Sequence, residues 1–187
     1  MLPEEAFEFV QSLRDGFSAL AEASCPTIAA IEGAALGGGL ELALSCDLRV
    51  AGAGASLGLP ETGLAIIPGA GGTQRLPRVV GVPRAKELIF TGRRVAPEEA
   101  AALGLVERAV AAGEARASAV ELARSMLDKG PLALRAAKMA IDEGAGLPIA
   151  EAMKAERWGY DMVLRSADRL EGLAAFREKR KPVYRGE

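Results

Sequence analysis

Three consecutive glycines directly before a glutamate constrain this chain more than any other feature. Gly37, Gly38 and Gly39 precede Leu40 and Glu41, and the surrounding residues are almost all apolar. Each glycine loses much conformational entropy on folding, so such a run is tolerated where the backbone must approach another group closely. A buried carboxylate is costly unless something uses it, which makes Glu41 a candidate functional group. A tight turn without a ligand and an ordinary first-turn glutamate remain the simpler alternatives at this point.

The residues after the glycines favour a helix from Leu40 to Cys46. The glycines would then lie at the helix N-terminus, where unpaired N–H groups and the positive dipole end attract an anion or an oxygen that becomes anionic during a reaction. A second glutamate, Glu61, follows twenty residues later and is predicted to lie in a loop at the end of a strand. Such loops commonly carry the functional sites of α/β proteins.

Histidine is absent from all 187 residues, which excludes Ser-His and Cys-His nucleophile pairs and imidazole bases. Any acid-base chemistry must therefore use carboxylates. The two cysteines, Cys25 and Cys46, lie in apolar surroundings and are predicted to be small buried residues, without a disulfide or a thiolate metal site. We expect neither a metal nor a separate cofactor.

Composition indicates a globular protein whose core consists of Ala, Leu, Val and Ile, because half of the residues are apolar and only 4% are aromatic. The chain opens with acidic residues and has no long uncharged apolar run, so we expect no signal peptide, no membrane association and a cytoplasmic location. A net charge of −2 gives little attraction for nucleic acid, and we expect none as a partner. The basic run 177–181 could meet phosphates or form a solvated helix end.

Hydrophobic periodicity predicts an amphipathic helix that ends near Ser24, with a stripe of apolar residues packed into the core. The stripe consists of Phe7, Val10, Leu13, Phe17 and Leu20. Short strands are predicted over residues 27–31, 47–51 and 56–59. The strand-helix-strand order around Glu41 predicts a parallel α/β core.

The later part of the chain has helical patterns, bounded by proline and serine starts and glycine stops. Helices are predicted over residues 72–80, 83–90, 97–103, 114–128, 132–143, 149–164 and 168–179. We therefore divide the chain into an α/β part with the active-site loops, residues 1–112, and a helical oligomerisation region, residues 113–187, with a hinge near Gly113.

The chain resembles the enoyl-CoA hydratase (crotonase) family along nearly its whole length. The resemblance lies in the segments 26–33, 35–43, 46–47, 67–78 (IPGAGGTQRLPR), 168–172 (DRLEG) and 176–180 (FREKR). It is closest to the hydratase branch, which includes methylglutaconyl-CoA hydratase, because both glutamates are present. The resemblance implies an α/β crotonase-like (ClpP/crotonase) spiral fold with a C-terminal helical trimerisation region.

The resemblance also implies a reaction, the addition of water to a 2-trans-enoyl-CoA thioester. Glu41 and Glu61 match the family's two catalytic carboxylates, with Glu41 as the group that activates water and Glu61 as the donor of the proton to C2. The backbone N–H of Gly38 matches one donor of the oxyanion hole. Gly37 and Gly69 match positions against the substrate, and Phe176 and Lys179 match positions that contact coenzyme A, which is part of the substrate.

Family members commonly form trimers and hexamers through their C-terminal helices, and the resemblance implies the same here. Complete members begin with several strands and an Ala-Gly-Ala-Asp-like loop that carries a second oxyanion donor, whereas Met1 falls at the helix after that loop. We therefore expect an N-terminally truncated version of the fold. Alternatives are a non-catalytic crotonase-like subunit, another crotonase reaction such as isomerisation, thioester hydrolysis or decarboxylation, and an RNA-binding relative.

Overall fold

Parallel strands joined by helices organise the first part of the chain in the computed structural model, which describes residues 2–187. The strands are β1 (Ile28–Ile31), β2 (Ala34–Leu36), β3 (Leu48–Gly52), β4 (Ser56–Gly58) and β5 (Arg108–Val110). The helices are α1 (Pro3–Ala21), α2 (Gly38–Ala43), α3 (Gly72–Val80), α4 (Val82–Thr91), α5 (Pro97–Leu103), α6 (Ala115–Arg124), α7 (Pro131–Gly144), α8 (Ile149–Leu164) and α9 (Ala167–Glu178), with a 3-10 helix at Glu61–Leu64.

The strands pair in two parallel sheets, as the predicted strand-helix-strand order requires. One sheet has the order β1-β3-β5, with Ile28 opposite Leu48 and Val50 opposite Arg108. The other pairs β2 with β4, with Ala34 opposite Ser56. Both chain segments that carry the glutamates therefore leave from the ends of parallel strands, because α2 follows β2 and the 3-10 helix follows β4.

The chain divides into two compact units, one formed by residues up to 23 with 27–121 and the other by residues 24–26 with 122–187. Apart from two prolines, Pro68 and Pro97, the buried apolar side chains of the described residues are Ala, Leu, Val or Ile, as the composition predicts. The largest fully buried ones in the first unit include Leu40, Leu57, Leu59 and Leu76. The functional division at residue 112 stays a prediction.

A buried arginine joins β3 to the segment before β5. Arg49 is only 4% exposed, and its guanidinium donates to the carbonyl oxygens of Leu105, at 2.8 Å, and Cys46, at 2.9 Å, and to Glu107 Oε1 at 3.0 Å. The backbone N–H of Arg49 donates to the other oxygen of Glu107. The charge is therefore balanced and its donors are bonded, which offsets the cost of burying it.

Most predicted elements are present, and three helices, α3, α5 and α8, have the predicted bounds. Strands β2 and β5, of three residues each, were not predicted. Glu61 begins a 3-10 helix and does not lie in an irregular loop.

Two burial predictions were wrong. No residue of α1 is buried, and Phe7 is 67% exposed, although Val10, Leu13, Phe17 and Leu20 are half-buried. A helix on the rim of a unit needs only a narrow contact stripe, so periodicity overestimates its burial. Cys25 is exposed and Cys46 is half-buried. Residues that are apolar neighbours of a cysteine in the sequence need not surround its side chain in the folded protein.

No helix within residues 2–187 combines the length and the apolarity that crossing a bilayer requires.

A buried aspartate in the second unit holds the final residues of the chain against α9. Asp168, 6% exposed, accepts the backbone N–H of Arg185 at 2.7 Å and of Gly186 at 2.8 Å. Its own N–H donates to the carbonyl oxygen of Glu187 at 3.0 Å. This extended segment has no secondary-structure partner, so the carboxylate provides its hydrogen bonds.

We expect Asp168→Ala to lower the free energy of unfolding by about 3 kcal/mol, because the N–H groups of Arg185 and Gly186, which form part-buried hydrogen bonds, lose a charged acceptor. Urea denaturation followed by circular dichroism measures the change. Asp161→Ala, at an exposed position on α8, is the control and should change stability by less than about 0.5 kcal/mol. Equal stability of the two variants would contradict a role for Asp168 in holding the segment.

Candidate active site

Glu41 is a buried carboxylate that accepts hydrogen bonds from the backbone of a distant loop. It lies on α2, 3% exposed, between the buried residues Leu40 and Ala43. Its Oε1 accepts the N–H groups of Ala70 and Gly72, each at 2.8 Å. Two hydrogen bonds to one carboxylate oxygen offset its desolvation and fix its orientation.

The loop that holds Glu41, residues 69–72, is called the glycine loop here, and two arginines hold it in turn. Arg14 Nε on α1 donates to the Gly69 carbonyl oxygen at 2.6 Å, and Arg75 Nη1 on α3 donates to the Ala70 carbonyl oxygen at 3.0 Å. At Gly71 the backbone has φ +116°, and an added Cβ would lie 2.0 Å from Arg75 Nη1. Hydrogen bonds to its backbone therefore hold the conformation of this loop, and a side chain at Gly71 would collide with Arg75.

The last residue of the glycine loop, Gly72, starts α3 and lies against the carboxylate itself. An added Cβ there would lie 2.8 Å from Pro68 Cβ, 2.9 Å from Leu59 Cδ1 and 3.0 Å from Glu41 Oε1. A side chain at this position would push the N–H away from the carboxylate that accepts it.

Glu61 lies close to Glu41 but in a different environment. Its Oε2 is buried and has no hydrogen-bond partner among the described residues. Burial raises the pKa of the Glu61 carboxyl, an interaction with its own backbone N–H opposes the rise, and the charge of Glu41 adds to it. The arrangement favours a neutral Glu61 over a wider pH range than an exposed glutamate would have.

The glycines before α2 bring backbone close to Glu61. Gly37 has φ +54° and ψ −125°, and its N–H donates to the Gly58 carbonyl oxygen at 2.9 Å. An added Cβ at Gly37 would lie 3.2 Å from Glu61 Oε1. Gly38 follows as the first residue of α2 and is exposed, and the N–H of a first helical residue has no acceptor within its own helix.

Gly69 was predicted to lie against the substrate, and in this structure it lies close to a side chain of α1. An added Cβ would lie 3.0 Å from Val10 Cγ1. Contact of Gly69 with a substrate stays a prediction.

Phe176 and Lys179 belong to the second unit and are described there by themselves. Phe176 is 84% exposed on α9, and Lys179 ends that helix in a left-handed conformation, φ +55°. The next residue, Arg180, is bonded to Glu171 and Glu178, and its guanidinium holds the pKa of Glu171 down at about 2. The basic run 177–181 therefore includes an arginine that is paired with glutamates. Binding of phosphate by this run stays a prediction.

Sequence reasoning missed Arg14, Arg75 and Thr62. Arg14 meets Gly69 across 55 positions of the chain, and no periodicity relates the two. Arg75 and Thr62 stand next to residues that the motifs singled out, which is the one signal that points to them. Within residues 2–187, no group of three or more metal-ligating side chains is placed to hold a metal ion.

Comparisons with known proteins give a consistent result. The family model described as enoyl-CoA hydratase/isomerase matches residues 2–187. The chain is 59% identical over 186 residues to a protein of Arabidopsis thaliana named "Probable enoyl-CoA hydratase 2, mitochondrial", covering 100% of this chain and 62% of that protein. It is 48% identical over 191 residues to the mouse protein "Methylglutaconyl-CoA hydratase, mitochondrial", covering 100% of this chain and 61% of that protein.

The structure is also similar to a crystal structure of enoyl-CoA hydratase from Bacillus anthracis, with a TM-score of 0.96 and 50% identity, covering 100% of this chain and 72% of that chain. These likenesses confirm the fold class and the family resemblance found from the sequence. The chain spans about three fifths of the length of the two curated relatives.

We expect Gly37→Ala to destabilise the protein by roughly 1–3 kcal/mol, because the left-handed backbone is strained with a side chain and the new methyl group presses on Glu61 Oε1. Gly39→Ala is the matched control, since Gly39 lies within α2 and has open space at its Cβ position. It should be neutral or stabilise by about 0.5–1 kcal/mol. Urea denaturation of both variants checks this, and equal changes would argue against the role of Gly37.

The raised pKa of Glu61 predicts how a Glu61→Gln variant responds to pH. The folded protein binds the Glu61 proton more tightly than the unfolded chain, so the wild type loses stability as pH rises from below the unfolded pKa through the folded pKa. Glu61→Gln removes this loss. Its stability relative to wild type should therefore be greatest at neutral pH and decrease toward pH 4.

Thermal unfolding of wild type and Glu61→Gln between pH 4 and pH 7.5 measures this difference. Glu8→Gln, at an exposed position on α1, is the control and should follow the wild type. A difference between Glu61→Gln and wild type that stays constant over the whole range would contradict the shifted pKa.

Proposed function

Because this chain belongs to the enoyl-CoA hydratase/isomerase family, we propose that it adds water reversibly to a 2-trans-enoyl-CoA thioester. The observation that carries the proposal is the pair of neighbouring carboxylates, Glu41 and Glu61, with contrasting environments. Glu41 is bonded to backbone N–H groups, whereas Glu61 keeps a buried oxygen without a partner and has a raised pKa. Two carboxyl groups in such different environments suit opposite roles in proton transfer.

In the proposed reaction, Glu41 accepts a proton from water while the water oxygen forms a bond to C3. Glu61, neutral at the start, donates its proton to C2, so that the elements of water are added across the double bond. Glu41 ends protonated and Glu61 ionised. The next water molecule then relays the proton from Glu41 to Glu61, which restores the starting state of both. The raised pKa of Glu61 supports the donor role, because a neutral carboxyl is required when the substrate binds.

The thioester oxygen gains negative charge when C3 is attacked, and we place it at the N–H of Gly38. This N–H lies at the start of α2 on an exposed residue, so a substrate oxygen can reach it. An oxyanion-hole donor of this kind contributes roughly 10²- to 10³-fold in rate. Gly37 and Gly69 are proposed to line the acyl part of the substrate.

The proposal extends to coenzyme A and to assembly. Phe176 and Lys179, both on the surface of the second unit, are proposed to contact coenzyme A, with the lysine ammonium near phosphate. A homotrimer or a hexamer would cover exposed apolar side chains of the C-terminal helices, among them Trp158 and Leu170. The cytoplasmic location stays a prediction, and the two curated relatives are mitochondrial by name.

Hydration of crotonyl-CoA by the purified chain, followed through loss of the enoyl thioester absorbance, tests the proposal. We expect turnover by the wild type and a fall of roughly 10²- to 10⁴-fold in kcat for Glu41→Gln and for Glu61→Gln, since each removes one proton-transfer group. Glu8→Gln, at an exposed position, should retain full activity.

A folded wild type without turnover would contradict the proposal and favour a non-catalytic subunit. Turnover that survives both substitutions would contradict the two-carboxylate mechanism. Activity on a different acyl-CoA reaction, abolished by the same substitutions, would favour another chemistry of the family over hydration.

A further inference from the structure

The hydroxyl of Thr62, the residue after Glu61, is bonded to the end of a neighbouring helix. Thr62 Oγ1 donates to the carbonyl oxygen of Ile89 at 2.8 Å. Ile89 lies in the last turn of α4, where carbonyl groups receive no hydrogen bond from an N–H of the same helix. The hydroxyl therefore satisfies a carbonyl that the helix itself leaves unbonded.

The end of α4 is a rigid anchor for this bond. Ile89 and Leu88 are buried in the core of the first unit. Gly92 ends the helix with φ +60°, and an added Cβ there would lie 3.3 Å from Pro60 Cα. The segment that carries Glu61 thus packs directly on the end of α4.

The strand before Glu61 is held by the residues that follow α4. Leu57 in β4 exchanges two backbone hydrogen bonds with Val95, at 3.0 and 2.7 Å. Both residues are almost fully buried. One continuous stretch, residues 89–95, therefore contacts the chain on both sides of Glu61.

The chain after Thr62 has little burial to hold it. Leu64 is 75% exposed, and Ala65 adopts a left-handed conformation, φ +57°, which is strained for a residue with a Cβ. Ala65 N–H donates to the Thr62 carbonyl oxygen, and Ile66 N–H donates to the Glu61 carbonyl oxygen at 3.3 Å. The hydroxyl of Thr62 connects this strained turn to the core.

We propose that Thr62 is a positioning residue for Glu61. The hydrogen bond from the Thr62 hydroxyl to the Ile89 carbonyl keeps the Glu61 carboxyl in its place beside Glu41. The proposal rests on the proposed function for its kinetic readout. The protonation of Glu61 gives a second readout that does not depend on activity.

Loss of the Thr62 hydroxyl would let the 3-10 helix move away from α4 and let water reach Glu61. Burial is the main cause of the raised pKa of Glu61, so the pKa should fall toward its ordinary value. Glu41 on α2 is the charged group that acts on Glu61. The other charged residues on α4 and the segment after it are Arg84, Lys86, Glu87, Arg93 and Arg94, of which Arg93 is bonded to Glu87 and Glu99 and the rest are exposed.

The test compares Thr62→Val, which keeps the branched shape but lacks the donor, with Thr62→Ser, which keeps the donor. The Glu61 titration is followed by NMR of side-chain ¹³C-labelled glutamate, assigned with Glu61→Gln, in the full chain without substrate. We expect a lower Glu61 pKa in Thr62→Val and a near wild-type value in Thr62→Ser. With crotonyl-CoA, kcat of Thr62→Val should fall roughly 10- to 100-fold, and its loss of activity at high pH should begin at a lower pH.

Thr91→Val is the matched control. Thr91 Oγ1 also donates to a carbonyl of α4, that of Glu87 at 2.8 Å, but Thr91 is exposed and its hydroxyl bonds its own helix. It should leave the Glu61 titration and kcat unchanged. Thr62→Ala, which also lacks the donor, replaces Thr62→Val if the valine variant does not fold.

A Glu61 titration that is unchanged in folded Thr62→Val would overturn the proposal, even if that variant is less stable, because a purely structural role predicts a stability loss alone. A shifted titration in Thr62→Val that Thr62→Ser restores would support it. That second result would hold even if no variant, wild type included, hydrated crotonyl-CoA, in which case the proposed function would fail while the positioning of Glu61 by Thr62 would stand.

Discussion

Glu41 Oε1 accepts two backbone N–H groups, those of Ala70 and Gly72, and this pair of bonds joins α2 to the glycine loop. The loop in turn is held by Arg14 from α1 and by Arg75 from α3. Helices α1, α2 and α3 are therefore connected through the glycine loop. These hydrogen bonds fix the orientation of the buried Glu41 carboxylate.

The pKa of Glu61 depends on the nearby Glu41 charge, but the hydrogen bonding of Glu61 differs from that of Glu41. Its Oε2 has no hydrogen-bond donor among the described residues, and burial together with the nearby Glu41 charge disfavours its ionisation. The two carboxyl groups are chemically identical in isolation. Their environments separate them, because Glu41 Oε1 accepts two backbone N–H groups whereas Glu61 Oε2 is buried without a donor.

The elements that could be predicted are those with a local signal. α3, α5 and α8 have the predicted bounds because proline starts, glycine stops and helical periodicity lie within the segments themselves. Strands β2 and β5 were missed, and their pairing with β4 and β3 depends on residues far along the chain. The partly wrong prediction for α1 has the same origin, since the depth to which a helix is buried depends on what it packs against.

The residue types limit the chemistry that is possible here: the chain has no histidine, a carboxylate after three glycines, a second carboxylate twenty residues on, and motifs that identify the family. The fold is needed to show which partners each group has, since the bonds from Arg14 to Gly69 and from Thr62 to Ile89 span 55 and 27 positions. Residue types determine which bonds and proton transfers are available. The pKa and the orientation of a side chain depend on burial and on neighbouring charges, which exist only once distant segments have packed together.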